Sequence, residues 1–351
     1  MDYTSTYQIL QAIDKSFKPT TFFRDTFFPD TQTFYTPTVL MDYRKGTRKM
    51  APFVSKNGGS VNVAREGFKT AEYEPPMISP ARAMSIADIS GRGFGENVIS
   101  SITPEQRAQQ LMARDISELI DMIVRREEWM CAQTLLNAGF TAAGYTDDGK
   151  EKIEDVVNFG EFKHKKTLSS TNEKWDSPSA DIYGTIMDMY KAVAIDSGSN
   201  PDILVTTQKT MGYIIKNDDV LKWLLRPADQ MKLMTINPNG VQDDLSTSWG
   251  AITSLNNLQL VTYDGVYVDD DGQMQQYIPD GYVILAKRGL GSRLFGAVTQ
   301  LEQDGKYYTY EGQYVPKVWS DIAGDSQKIR IASKCVPKPN DIDDWYVLKA
   351  Y

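Results

Sequence analysis

The segment from Thr103 to Gly139 limits the architecture more than any other part of this 351-residue chain. Thr103, Pro104 and Gln106 in TPEQR supply an N-cap, a first-turn proline and the partner residue of a capping box, and Gly139 supplies a stop. Roughly 35 residues lie between them, so the predicted helix is about 52 Å long, against about 30 Å for a small domain. A body that carries it must be elongated. Leu119, Ile120, Ile123, Met130 and Leu135 make its apolar stripe, with Asp121 and Arg125 at i,i+4 on the wet side. The stripe is short and its heptads do not persist, so coiled-coil and membrane readings are the weaker ones.

Past this helix, Gly144 to Glu151 (GYTDDGKE) has the GxxxxGK spacing of a phosphate-binding loop. Glu151 stands where that motif needs a hydroxyl, and Asp147 and Asp148 put negative charge inside the cradle. The local order is helix, turn, strand, whereas the motif needs strand, loop, helix. The cluster reads as a turn. In SGRGFGEN the helix opens eight residues after Gly95, so Gly91, Gly93 and Gly95 mark a bend and not a dinucleotide fingerprint. A calcium loop ending its first half at Gly272 would need an acid at Tyr267 and a glutamate at Ile278, so DDDG there reads as a hairpin turn.

On the N-terminal side, Tyr7, Leu10, Ile13 and Phe17 predict a short amphipathic helix. An arm follows in which Phe22, Phe23, Phe27, Phe28, Phe34 and Tyr35 keep neither helical nor alternating order. Each fully buried Phe is worth about 1.5–3 kcal/mol, so the arm must lie on its own core or on a neighbour's surface, and composition leaves both open. From Arg44 to Pro80 the chain turns charged, with short alternating runs and a Lys56-Asn57-Gly58-Gly59 turn, and reads as a long β-hairpin with a reach of roughly 50 Å. A hairpin alone is marginal in water, which implies a partner surface.

The rest predicts a mixed α+β unit. Ile182, Ile186, Met189 and Val193 share a helix face, NPDILVTTQ is a buried strand, a second helix runs from about 208 to 225, and hairpins turn at Asp264 and Asp271. QKIRIASKCVPKPNDIDDWYVLKAY closes the chain as two strands around a Pro-rich turn.

Little chemistry is visible. A net charge of −8 and a pI near 4.9 disfavour a sequence-reading nucleic-acid binder. Cys131 and Cys335 form no CxxC pair, fit a reducing compartment and read as small core residues. The N-terminus shows no signal-peptide pattern, and no stretch has the length of a membrane span. His164, the single histidine, has no acidic sequence neighbour and reads as a solvated loop residue. No GxSxG elbow occurs. Glu127 and Glu128 diverge by about 100° on a helix and cannot form a carboxylate dyad there; with Arg125 and Arg126 they are expected to make a solvated or interface charge cluster. No catalytic, cofactor-binding or metal-ligating residue is assigned.

A Phe-rich arm, a projecting hairpin, a spine-length helix and a mixed domain with little chemistry together describe a part that holds copies of itself. FFPDTQTFYTPTVLMDYRKGTRKMAPFV, the R-x-x-G-E step from Arg92 to Glu96, TPEQR, RREEWMCAQTLLNAG and IPDGYVILAKRG occur here in one order over nearly the whole chain. In that order they resemble the major capsid proteins of tailed phages, specifically the lambda-type family with the HK97-type fold.

The resemblance implies an α+β HK97-type capsid fold. Residues 1–43 would be an N-terminal arm and 44–85 an extended loop overlapping a neighbour. Residues 86–180 would form a peripheral domain with the spine helix at about 104–138, 181–325 an axial domain, and 326–351 strands returning to the peripheral domain. It further implies pentamers and hexamers of an icosahedral shell enclosing double-stranded DNA, assembled in the host bacterial cytoplasm. Scaffolding, portal and decoration proteins would be partners, contact with DNA would be non-specific, and no cofactor or membrane would be involved. Phe22, Phe23, Phe27, Phe28, Lys56, Asn57, Arg65, Arg92, Glu96, Arg125, Arg126, Glu127 and Glu128 are the assembly candidates. Lys56 and Asn57 suffice as turn residues, so covalent cross-linking is not implied. Deleting residues 1–30 is expected to leave a folded subunit that assembles poorly. A prophage-derived compartment shell with a protein cargo, or a soluble α+β enzyme or binding protein, are the competing readings.

Overall fold

The computed structural model describes residues 21–43, 69–90, 103–145, 152–220, 235–240, 245–321 and 326–351. The expected Tyr7–Phe17 helix, the Lys56–Gly59 turn, the glycine bend and the Asp147–Gly149 turn lie outside them. The chain order is α1 (Phe22–Phe27), β1 (Asp30–Thr33), β2 (Val39–Tyr43), β3 (Lys69–Tyr73), β4 (Met77–Ile78), β5 (Ala81–Ser85), α2 (Ile86–Ser90) and the spine α3 (Pro104–Asn137). Then come β6 (Gly139–Tyr145), β7 (Lys152–Asn158), β8 (Lys165–Thr167), α4 (Ile182–Ser197), β9 (Ile203–Thr206), α5 (Gln208–Lys216), β10 (Thr235–Ile236), β11 (Ser246–Ile252) and β12 (Leu258–Tyr263). The remaining strands are β13 (Val266–Val268), β14 (Met274–Gln276), β15 (Tyr282–Ala286), β16 (Gly291–Phe295), β17 (Val298–Leu301), β18 (Tyr307–Tyr310), β19 (Val315–Asp321), β20 (Ser326–Pro339) and β21 (Trp345–Lys349).

The spine is capped as its sequence predicts. Thr103 Oγ1 accepts from the Gln106 N–H at 3.3 Å, and Gln106 Oε1 accepts from the Thr103 N–H at 3.2 Å. All five expected stripe residues are buried. The helix ends differently from expectation, because the left-handed residue is Ala138, at φ 52°, and not Gly139. Gly139 already belongs to β6, and a Cβ there would stand 2.2 Å from the Val157 carbonyl oxygen. The glycine therefore permits a close strand crossing. β6 and β7 pair antiparallel with Gly144 opposite Ile153, which places the start of GYTDDGKE in a hairpin strand.

Two sheets carry the core. In the first, the 14-residue strand β20 pairs with β19, β16, β4 and β5, and β1 joins β16 in parallel. Leu119, Ile120, Ile123 and Val124 of the spine pack on Val318, Ile329 and Ile331 of this sheet. The second has the order β10-β11-β12-β9-β15-β21-β8. Its strands alternate as period-2 geometry requires. Leu204, Leu260, Val283, Leu285 and Leu348 face a cluster with Ile182, Ile186 and Met189 of α4, while Val205, Val261, Ile284, Ala286 and Val347 face the arm and the spine's end.

Chain segments and sheets do not coincide. β16 and β19, from the segment 181–325, lie on the spine's sheet, and of the two C-terminal strands only β20 does so. β21 crosses to the second sheet beside β15, where the Trp345 indole donates to the Leu135 carbonyl at 2.7 Å and ties it to the spine. The helix expected to reach 225 stops at Lys216, because the Asn217 side chain accepts from the Asp219 and Val220 N–H groups and so caps a new helical turn. Asp271-Gly272 turns the β13–β14 hairpin, with Gly272 at φ 78°, whereas Asp264-Gly265 only links β12 to β13.

Candidate assembly site: the arm anchor on the spine helix

Adjacent residues on a helix point about 100° apart, and Glu127 and Glu128 use that divergence. Glu128 reaches the arm. Its Oε1 accepts from the Phe23 N–H at 2.8 Å and the Tyr263 hydroxyl at 3.1 Å, and its Oε2 accepts from the Arg24 N–H at 2.9 Å. Thr21, the residue before α1, makes no side-chain cap bond, so a carboxylate from the spine satisfies the first amides of the arm helix. Glu127 turns to a different set. Its Oε2 lies 3.3 Å from Arg24 Nη1 and 3.5 Å from Arg293 Nη1, and it accepts from the Tyr314 hydroxyl at 3.3 Å. Arg293 also donates to the Phe28 carbonyl at 3.0 Å and to Thr31 Oγ1 at 3.1 Å.

Two arginines and two glutamates thus sit in one buried cluster that joins α1, α3, β12, β16 and the segment before β19. Burial pushes the Glu128 carboxyl up to about 7, against three donors that favour its charged form. Burial also raises Glu127, with Arg24 and Arg293 opposing. Desolvation works against the charge on Arg24, yet Glu127, Tyr314 and Asp25 outweigh it and hold the guanidinium above its ordinary range. A buried pair of this kind contributes little net stability but is costly to break from one side, so it fixes where the arm sits.

The rings complete the anchor. Phe22, Phe23, Phe27 and Phe28 are all buried, with Phe22 stacked on Tyr263 at 4.9 Å and Phe23 on Phe27 at 5.9 Å between centroids. Of the two places open to this arm, its own core is the one it occupies, and Phe22–Phe27 form a helix that the sequence pattern does not show.

The four-residue cluster from Arg125 to Glu128 does not stay together. Glu127 and Glu128 are 0% and 1% exposed, which corrects the solvated or interface reading. The arm covers that face of the spine, and contact over more than a hundred residues of sequence leaves no local signal. Arg125 is exposed, while Arg126 pairs with Asp270 at 2.6 Å and lies over the Trp129 ring at 5.4 Å. Lys56, Asn57, Arg65, Arg92 and Glu96 lie outside the described residues. Sequence reasoning missed Arg24, Tyr263, Arg293 and Tyr314. Two adjacent charges between two Phe pairs, Arg24 and Asp25 in FFRDTFF, were the available hint for Arg24.

His164 is corrected as well. It is buried, with Nε2 3.2 Å from Asp196 Oδ2 and 3.7 Å from Asp343 Oδ1, under the Tyr346 ring. Cys131 and Cys335 are free and buried, and burial pushes both thiols up, the reverse of what a nucleophile needs. Among the described residues, no helix is long and apolar enough to cross a membrane, and no three or more His, Cys, Asp or Glu are grouped to hold a metal. An open groove of about 920 Å³ runs past Glu74, Met77, Arg126, Trp129, Phe140 and Asp270.

The whole chain has relatives. It is 21% identical over 350 residues to the P21 prophage-derived major head protein of Escherichia coli O6:H1, covering 97% of this chain and 98% of that one. It is 21% identical over 320 residues to the major capsid protein of Escherichia phage lambda, covering 91% and 90%. Among solved structures, a capsid protein from a prophage of E. coli CFT073 superposes with a TM-score of 0.67 at 17% identity, covering 99% of each chain. A phage-related protein of Bordetella bronchiseptica RB50 gives 0.53 at 14%, covering 97% and 96%. These likenesses establish the HK97-type fold. The family model described as phage major capsid protein E matches residues 5–350, and the chain belongs to that family: it is a major capsid protein of a phage or prophage.

Proposed function

We propose that copies of this chain assemble as pentamers and hexamers into an icosahedral shell that encloses double-stranded DNA. The family match over residues 5–350 carries this reading. Each subunit entering a shell loses on the order of 4–15 kcal/mol of rigid-body freedom, which contacts spread over several neighbours offset. The anchor fits that need, because it fixes the arm's course at Phe22–Thr31 and leaves residues 1–20 and 44–68 as the segments that engage neighbours. Arg125, Arg126, Arg65, Arg92 and Glu96 remain assembly candidates, with Lys56 and Asn57 at the loop turn. The part of 181–325 built on the second sheet is the unit that gathers at the fivefold and sixfold axes, and 86–180 with β20 lies at the periphery.

A net charge of −8 suits a wall that contains DNA and does not grip it. Assembly in the host cytoplasm with scaffolding, portal and decoration proteins belongs to the same reading, as does a purely structural role without catalysis. Nuclease protection on particles co-expressed with the neighbouring genes tests it. Protected double-stranded DNA supports the genome shell. Particles that hold a discrete protein and no DNA would instead make it a compartment.

A further inference from the structure

The β13–β14 hairpin presents its apolar side outward. Paired residues of antiparallel strands share a face, so Val266, Val268, Met274 and Gln276 point one way and Tyr267 and Gln275 the other. The tyrosine side is the inner one: the Tyr267 hydroxyl accepts from the Trp129 indole at 3.2 Å, and its ring lies 5.0 Å from Tyr277. On the open side Val266, Val268 and Met274 are 42%, 63% and 72% exposed. These two strands form a sheet of their own, and such a face reverses the pattern of a solvated hairpin.

Next to this face stands an acidic tip. Asp269 accepts from the Gln273 N–H at 2.7 Å and the Asp271 N–H at 3.1 Å, which holds the turn, and Asp270 is fixed by Arg126 at 2.6 Å. Elsewhere in the same chain, the segment 44–68 carries Arg44, Lys45, Arg48, Lys49, Lys56 and Arg65 against the single acid Glu66, although the protein as a whole is at −8. Its apolar residues include Phe53, Val61 and Val63. The segment leaves the described body between β2 and β3, which pair antiparallel from Val39↔Tyr73 to Tyr43↔Lys69. At about 3.3 Å per residue, the dozen or so residues on each side of that segment are long enough in sequence to span up to roughly 40 Å.

We propose that the Val266, Val268 and Met274 face with its Asp269–Asp271 tip is the docking surface for the basic segment 44–68 of a second copy. Its apolar residues cover the valines and methionine, and its lysines and arginines lie beside the carboxylates. Opposite charge fixes the register, and the apolar face holds it. This rests on the shell reading.

Cysteine pairing tests it on assembled particles, because both native thiols are buried and do not compete. Met274→Cys is combined in turn with Phe53→Cys, Val61→Cys and Val63→Cys, and particles are oxidised and run on denaturing gels. At least one pair is expected to give a ladder of covalently joined chains, with single variants remaining monomeric on the gel. Val268→Lys, a change at an exposed site, is expected to keep the subunit's melting temperature and raise the concentration needed for assembly about tenfold. Intact particles with no ladder from any pair, a cross-link closed within one chain, or unchanged assembly of Val268→Lys would overturn the docking. Failure of the unmodified protein to form particles, read in the same experiment, would overturn the shell reading and the docking with it.

Discussion

Replacing Glu128 with alanine takes the acceptor from three buried donors, the N–H groups of Phe23 and Arg24 and the hydroxyl of Tyr263, now held at 2.8, 2.9 and 3.1 Å. Each donor left unpaired costs about 1–3 kcal/mol, and removing a carboxylate that burial disfavours returns part of that, so the anchor weakens by about 3–5 kcal/mol. Four buried rings oppose release of the arm. Phe22, Phe23, Phe27 and Phe28 contribute about 1.5–3 kcal/mol apiece, or about 6–12 together, which exceeds the loss. The arm of Glu128→Ala therefore stays seated but opens more often, by a factor of roughly 10² to 10⁴. Native-state hydrogen exchange on peptides spanning residues 22–33 measures this, with the α4 peptide as internal reference. Faster exchange confined to the arm is expected. Equal acceleration of arm and reference, or none in either, would refute the argument that this carboxylate is a local anchor.

Three further outcomes follow from the same geometry. A Glu128 carboxyl raised to about 7 keeps in the native state a proton that the unfolded chain releases near 4.5. Its contribution is therefore full below about pH 4.5 and is lost as pH rises to about 7, a difference of about 3 kcal/mol. Glu128→Gln has no such proton, so denaturant titrations at pH 5 and 7.5 should show a smaller decline than in the unmodified protein; parallel declines would count against it. Gly139→Ala puts a Cβ 2.2 Å from the Val157 carbonyl oxygen and should lower stability by about 1–3 kcal/mol, while Gly144→Ala, with nothing within 4 Å, should melt almost unchanged. Deleting residues 1–30 removes the four rings, about 6–12 kcal/mol from a total of about 5–15, so that subunit should lack a cooperative melting transition. The burial of these rings thus argues against the expectation that this truncation stays folded, and the melt decides between the two; deleting 1–20 keeps the anchor and should preserve the transition.

Local order was legible where a local rule decides it. The Thr103–Gln106 capping box, the stripe from Leu119 to Leu135 and the Ile203–Thr206 strand each follow from neighbours within a few residues, and the structure has all three. The anchor was not legible, because Glu128 meets Phe23 and Arg24 over more than a hundred residues, and a Glu on a helix reads as solvated until something covers it. His164 failed for the same reason: its carboxylate neighbours, Asp196 and Asp343, come from α4 and from the turn before β21. The arm's aromatic pairs showed that Phe22–Phe28 must be covered, but not by what. Buried backbone amides at Phe23 and Arg24, satisfied by one carboxylate, answer that question in a way no composition can.

That this chain is a shell subunit is tested most directly by its assembly state. Light scattering with negative-stain imaging, on the protein alone and co-expressed with its neighbouring genes, should reveal closed shells or rings of five and six. A strict monomer or small dimer under both conditions would contradict the account.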